Sequence, residues 1–397
     1  MPSTQNKPFL SKNLFPLSLI FSTLLVKLIF SCHVYGTNDV TYWIHFAKII
    51  KQSGTFEIYG LEPIYNHPPL VSWILKCMPW LMSVTHLEFP FLFRLLPILA
   101  DCGSLWVIWK ILDVYGIKNN RLIFTLCALN PVNFLVSAFH GNTDPVFVFL
   151  VLLAVYFYET KKWGISGAVY GLSLCIKIVP ILAAPVLFLR LDSVKKKLIF
   201  FFSAGLVVLA IFLPYLIYDF HAVTKNIFGY ASLSGNWGLG HIFRSMSQSQ
   251  NLPDYFTRIS SLLFQWHAAH GTAVYFILLI ASYYFLKLKE RTLTEGIFFS
   301  FCLFLTVTPG FGVQYLSWLS FLALMVLPAL GALYALCGGF FLYRVYTFWS
   351  GGFPMNNADS DAMGQWTGFD KTLDLIVWFV VLAMLIQFIS RKRSCDR

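Results

Sequence analysis

The sequence predicts an all-α polytopic membrane protein, a bundle of about twelve transmembrane helices with surface helices in its first outer loop. Three observations carry this reading. Of the 397 residues, 57% are hydrophobic and 12% charged, with a mean hydropathy of +0.68, which leaves too little polar surface to cover soluble domains. Apolar runs long enough for a hydrocarbon core of ~30 Å recur from Phe15 to Phe388. The excess of 29 Lys and Arg over 18 Asp and Glu gathers beside those runs, at Lys161-Lys162, Arg190 with Lys195-Lys196-Lys197, Lys287-Lys289-Arg291 and Arg391-Lys392-Arg393. Membrane proteins mark their cytoplasmic face in this way, so the net charge of +11 does not point to a nucleic-acid partner. The eight cysteines lie singly along the chain, mostly in apolar runs, with no CxxC or zinc spacing, and read as small core hydrophobes.

The elements follow in order. The first span, 14–32, comes after Lys7 and Lys12; Lys27 interrupts it, and Ile29-Phe30-Ser31-Cys32 lacks the small residues of a cleavage site, so it stays as a span. It runs outward into a first outer loop, 33–90. There Val40, Trp43, Ile44, Ala47 and Ile50 recur at helical spacing opposite Thr41, His45 and Lys48, predicting a short helix on the outer membrane surface. Pro68-Pro69 opens a second surface helix over 70–82, too short to span and broken by Lys76 and Pro79. Spans 91–112, 122–139 and 146–158 follow, the last two joined by the polar outer turn His140-Gly141-Asn142-Thr143-Asp144-Pro145.

The run 164–189 has basic clusters at both ends, and a single crossing would expose one of them outside and invert every later basic loop. It is therefore expected to be a hairpin of two short helices broken near Lys177 to Pro180. A span over 198–217 leads to a second large outer loop, 218–271, rich in Trp, His, Asn and Arg. One span then ends at Lys287, another leads out to Pro309-Gly310-Phe311-Gly312-Val313-Gln314-Tyr315, two more turn near 328–331, and 373–389 ends inside. The whole, 1–397, reads as one transmembrane domain. There is no repeat between halves and no long central linker, which weakens a transporter or flippase reading.

Asp39 is the sharpest candidate for chemistry. It is either a general base, taking a proton from an acceptor hydroxyl at the membrane surface, or with Asn38 a cap of the surface helix. Asp144 is either the Asx turn that starts the next span or a substrate ligand. Arg94 either snorkels or binds phosphate, and Asp101, deeper, reads as a structural partner. Lys177 either holds a lipid phosphate or satisfies carbonyls freed by Pro180. Asn236, Trp237 and His241, with Arg244, either shape a sugar pocket or belong to an interfacial aromatic belt. His33, His45, His67, His86 and Glu57 have no metal-ligand spacing.

In layout the chain resembles the GT-C superfamily of polytopic glycosyltransferases. The resemblance lies in Asn38-Asp39-Val40-Thr41-Tyr42-Trp43, Ile58-Tyr59, Asn66-His67-Pro68-Pro69-Leu70 and Phe93-Arg94-Leu95-Leu96-Pro97 with Asp101. It continues in Asn130-Pro131, His140-Gly141-Asn142-Thr143-Asp144, the hairpin with its Lys177, and Gln314-Tyr315-Leu316-Ser317-Trp318. It implies a polyprenyl-phosphate-linked sugar donor, Asp39 as the catalytic acid of the first outer loop, and substrate contacts from His67, Asp144, Lys177, Gln314 and Tyr315. The Asp-x-Asp pair of some relatives is absent, so no metal ligand is assigned, and a divalent metal is left open as the only possible cofactor.

The resulting expectation is an inverting glycosyltransferase of the cell envelope. It would move a hexose such as mannose to a glycolipid, polysaccharide or protein acceptor on the outer or lumenal face. The short loops point to a bacterial inner membrane. The alternatives are a transporter or flippase of a lipid-linked sugar, and a noncatalytic membrane subunit.

Overall fold

A computed structural model describes residues 9–230, 232–285, 290–353 and 365–391. Helix α1 (Phe9–Cys32) leads into a segment that carries α2 (Asn38–Ser53), α3 (Ile58–Leu61) and α4 (Pro69–Thr85). Helix α5 (Phe89–Val114) returns. Then come α6 (Asn120–Ala128) and α7 (Pro131–Leu135), extended by a π turn over Val136–His140, and α8 (Asp144–Glu159). Helix α9 (Trp163–Ile176) breaks into a 3-10 turn (Val179–Ala183) and α10 (Ala184–Arg190). Helices α11 (Val194–Phe228), α12 (Gly238–Ser247), α13 (Asp254–Phe285) and α14 (Leu293–Val307) follow. After a 3-10 turn (Val313–Tyr315), α15 (Leu316–Val326), α16 (Pro328–Trp349) and α17 (Gly368–Ser390) close the bundle.

The chain is a multi-pass, all-α membrane protein. Seven helices among the described residues are long and apolar enough to cross a bilayer, and four more apolar helices are shorter. Their alternation is visible where helix ends meet. Tyr115 beyond α5 donates to Glu159 at the end of α8 and shares a bond with Thr294 at the start of α14, both at 2.9 Å. Arg391, past α17, donates to the Val326 carbonyl at the end of α15.

The hairpin is present where the charge pattern requires it. Lys196, in the first turn of α11, lies 5.2 Å above the ring of Trp163, the first residue of α9, so both basic clusters share one end of the bundle. Close packing of α9 on α11 depends on Gly167 and Gly171. A Cβ at Gly167 would fall 2.1 Å from the Phe200 carbonyl, and one at Gly171 would fall 2.6 Å from that of Ala204.

Two surface features differ from expectation. Helix α2 turns its apolar stripe of Val40, Trp43, Ala47 and Ile50 onto α4 and the protein core, where these residues are buried, and not onto lipid. The segment 218–271, expected as an outer loop, is mostly helical, because α11 continues through a kink at Asp219 to Phe228 and α13 already begins at Asp254. Of the basic markers, Lys287, Lys289, Lys392 and Arg393 lie outside the described residues.

A polar network crosses the buried middle of the bundle. Lys27 of α1 pairs with Asp101 of α5 and donates to Ser137 at 2.9 Å, while Asn133 of α7 donates to the other Asp101 oxygen at 3.0 Å. A charge at bilayer depth costs roughly 2.5–3.5 kcal/mol on insertion scales, and this mutual satisfaction offsets it. Asp101 is thus the structural partner that its depth suggested, with a partner 74 residues away.

Candidate active site

At one end of the bundle, α2, the loop before α4, the turn before α8, the α9 break and the turn before α15 enclose a cavity of about 350 Å³. That is within the range of small-ligand sites. Asp39, Trp43, His67, Asn142, Lys177, Gln314 and Tyr315 line it.

Asp39 sits in the first turn of α2, where the helix N-terminus favours an anion. It does not cap that helix. Thr37 occupies the N-cap and gives its hydroxyl to the His140 carbonyl at 2.7 Å. The Asp39 carboxylate is held across the chain: Oδ2 accepts from Asn142 Nδ2 at 2.6 Å and from His140 Nε2 at 3.1 Å. Among the described residues, Oδ1 receives neither bond.

Burial acts to raise the Asp39 pKa. The hydrogen bond and charge of His140, the Asn142 amide and the Lys177 charge outweigh it and hold the carboxyl below its ordinary value. An ionised carboxylate only accepts, so Nε2 of His140 carries the proton. Nδ1 shares a hydrogen bond with the Tyr346 hydroxyl at 2.9 Å. The order from the cavity inward is carboxylate, imidazole, phenol.

This arrangement depends on an irregular backbone. The π turn carries His140 at its last position, and Gly141, at φ +75°, ends it in the left-handed region. The Gly141 carbonyl accepts from the Trp43 indole at 2.8 Å, and a Cβ there would lie 2.6 Å from Val40, so the turn and α2 lock together.

Lys177 follows the last residue of α9 in extended conformation and donates to both oxygens of the fully buried Asp144, at 2.9 and 2.8 Å. Asp144 also accepts from the Trp318 indole. Among the described residues Lys177 makes no bond to the carbonyls near Pro180; the Pro180 carbonyl is taken by Tyr170 at 2.9 Å. An ammonium has three N–H bonds, and two go to Asp144, which leaves one for the cavity. Asp144 thus stands behind Lys177 rather than in the cavity wall. Tyr315 stacks on Trp318 with ring centres 3.8 Å apart. His67 lies 4.3 Å from the Trp43 ring, and burial, reinforced by Lys177 and opposed by Asp39, pushes its pKa down to about 3, so the imidazole is neutral.

Other expected ligands stand elsewhere. Arg94 is fully buried and donates to the carbonyls of Ser31, Val34 and Tyr35, closing the end of α1; its charge faces backbone and not the cavity. Trp237 is buried with its indole on the Leu305 carbonyl at 2.6 Å and its ring stacked on Phe311 at 4.1 Å. Asn236 and His241 line a second cavity. Composition alone could not say which cavity that segment joins, because a bridge between Ser234 and Gly310 fixes it. His140, Asn142 and Tyr346 had no role assigned from sequence. The polar turn 140–145 was the available signal for the first two, while Tyr346 lies 206 residues from its partner.

Asp39 Oδ2 already holds two donors, both Asp144 oxygens are on Lys177, and among the described residues no three His, Cys, Asp or Glu side chains group to hold a metal.

The family model for glycosyltransferase family 87 matches residues 65–309. The chain is similar to GPI mannosyltransferase 1 of Eremothecium gossypii, 29% identical over 152 residues, which is 38% of this chain and 36% of that protein. It is similar to the protein of the same name from Kluyveromyces lactis, 30% identical over 142 residues, 35% of this chain and 34% of that one. The Saccharomyces cerevisiae protein of that name is 27% identical over 119 residues, 30% and 28% of the two chains. The matched part spans about a third of the length of these relatives. They come from yeasts, which gives the expected bacterial inner membrane no support; the multi-pass embedding stands.

Proposed function

The chain belongs to glycosyltransferase family 87, and from this premise we propose that it transfers mannose from a polyprenyl-phosphate donor to a glycolipid acceptor at the outer or lumenal end of the bundle. The names of the yeast relatives support mannose as the sugar and a GPI-type acceptor. One observation carries the assignment of the base: an ionised Asp39 in a cavity shared with a cation, Oδ2 saturated by His140 and Asn142 and Oδ1 left to substrate.

In the proposed reaction the acceptor hydroxyl oxygen attacks the anomeric carbon from the face opposite the phosphate. The new C–O bond forms as the old C–O(phosphate) bond breaks, and the configuration inverts. The bonding pair leaves with the polyprenyl phosphate, and the acceptor proton passes to Asp39. The His140 and Asn142 donors keep Asp39 ionised before the step and fix its orientation. Lys177, aimed by Asp144, offers its third N–H to the leaving phosphate. The neutral His67 and the rings of Trp43 and Tyr315 form a wall for the sugar. The lipid tail remains in the bilayer throughout, since drawing it into water costs ~0.8 kcal/mol per methylene.

The test is transfer by the purified full chain with polyprenyl-phosphate mannose and a glycolipid acceptor. Wild-type protein should form a mannosylated product of inverted anomeric configuration. Product of retained configuration would overturn direct displacement, and no product with mannose but product with another hexose would overturn the sugar.

A further inference from the structure

The second cavity, about 520 Å³, opens between α12, the start of α17 and the segment 233–236. Arg244 and Lys371 both line it, with Asn236, His241, Gln248 and Trp366. No carboxylate among the described residues lines it, and the two acids behind it each keep one oxygen, Asp370 Oδ1 and Asp374 Oδ1, without a hydrogen-bond partner. Asp374 is fully buried and bonded to His241 Nδ1 at 2.9 Å. Asp370 is buried in the capping box of α17, facing Arg344 at 3.7 Å. Among the described residues Arg244 reaches an amide oxygen, that of Asn236 at 3.3 Å, and neither it nor Lys371 meets a carboxylate. Two cations therefore face the cavity with no anion of the described chain to neutralise them, beside amide donors and an indole. Such a site selects an anion carried on a polar, ring-bearing group.

The two cavities are neighbours. Tyr230 lines the first and Leu233 the second, three residues on, so their Cα atoms are at most roughly 10 Å apart. The 233–236 segment is pinned between them by the Ser234–Gly310 bridge and by Phe311 N–H on the Leu233 carbonyl at 3.1 Å.

We propose that this second cavity binds the phosphodiester of the acceptor lipid and so holds the acceptor headgroup beside Asp39. The inference rests on the reading of the first cavity as the transfer site. It gives Arg244 and Lys371 the role of acceptor selection, apart from the donor phosphate at Lys177.

The full chain in detergent is titrated with dihexanoyl phosphatidylglycerol, dihexanoyl phosphatidylcholine and inorganic phosphate, and acceptor and donor KM are measured separately. The anionic lipid should bind wild-type protein more tightly than either other probe. R244Q/K371Q should lose about tenfold in that affinity and raise acceptor KM by a similar factor with donor KM unchanged, while R244K/K371R retains most of both. Equal binding of phosphatidylcholine, or unchanged affinity in a folded R244Q/K371Q protein, would overturn the anion site. Inorganic phosphate binding as tightly as the lipid would overturn its assignment to the acceptor. Asp359 and Asp361 lie outside the described residues, and a lipid that binds only after both are changed to Asn would mean that the chain's own carboxylates fill the cavity. D39N separates the two readings: probe binding retained with transfer lost supports both, and transfer retained would remove the base while leaving the anion site standing.

Discussion

One end of the molecule holds two histidine–aspartate pairs built in opposite order. In the first cavity Asp39 is in front, its side chain 27% exposed, with His140 behind it at 2%. In the second, His241 is in front at 9% and Asp374 behind it at 0%. The same two residue types therefore present opposite chemistry. A carboxylate backed by an imidazole and a phenol presents a held negative charge that can take a proton. An imidazole backed by a carboxylate, beside two cations, presents donors to an anion. Residue type alone does not set the role; the member that reaches the cavity does.

The comparison breaks most readily at Asp39. Asp39→Asn should keep the shape and both hydrogen-bonding neighbours and lower kcat by roughly 10²–10⁴-fold, the usual range for losing a general base. Asp374→Asn should move acceptor KM by only about threefold, as expected of a residue that positions His241 through one hydrogen bond. Equal collapse of kcat in the two variants would erase the distinction between the pairs.

Lys177→Met comes next. With its third N–H gone, donor KM should rise by about tenfold while acceptor KM holds, and Lys177→Arg should recover part of the loss. Equal effects on both substrates would mean that the Lys177–Asp144 pair only supports the fold.

A smaller effect is expected behind the front residue. Tyr346→Phe removes the hydrogen bond to His140 Nδ1, worth about 1 kcal/mol, or roughly fivefold in kcat/KM. A Tyr346→Phe rate equal to wild type would mean that His140 needs no second partner.

The pH dependence sharpens the same contrast. Asp39 is ionised above its lowered pKa, so kcat/KM should show no base-ionisation limb between about pH 5 and pH 8. Stability should behave differently. His67 titrates at about 3 in the fold against 6.5 ordinarily, so the unfolded chain binds more protons in that window and stability falls as pH drops from 6.5 towards 3. His67→Gln should flatten that decline in thermal unfolding followed in detergent. A decline unchanged by the substitution would place the acid sensitivity elsewhere.

Much of this was legible in sequence because it is written locally. The spans follow from run length, the hairpin from two basic clusters that must share a side, and the α2 stripe from helical spacing. Asp39 stood out as an acid beside a span, and Lys177 as a cation at a helix break. What sequence withheld are pairings across distance. Lys27 reads as an interruption because Asp101 lies 74 residues away, and Arg94 is left between snorkelling and phosphate binding because its carbonyl partners on Ser31, Val34 and Tyr35 carry no signature. The π turn that aims His140 inserts one residue into a helix without any composition that announces it.

The Lys27–Asp101 pair also bears on how the chain is made. Helix α1 leaves the ribosome with its lysine unmatched, and its partner is synthesised 74 residues later. At about 5–20 residues per second that is a wait of roughly 4–15 s. During this interval the first helix has reason to linger at the insertion machinery instead of partitioning into lipid. Release of α1 should therefore be timed by the arrival of α5, making the membrane integration of the N-terminal helix a two-helix event.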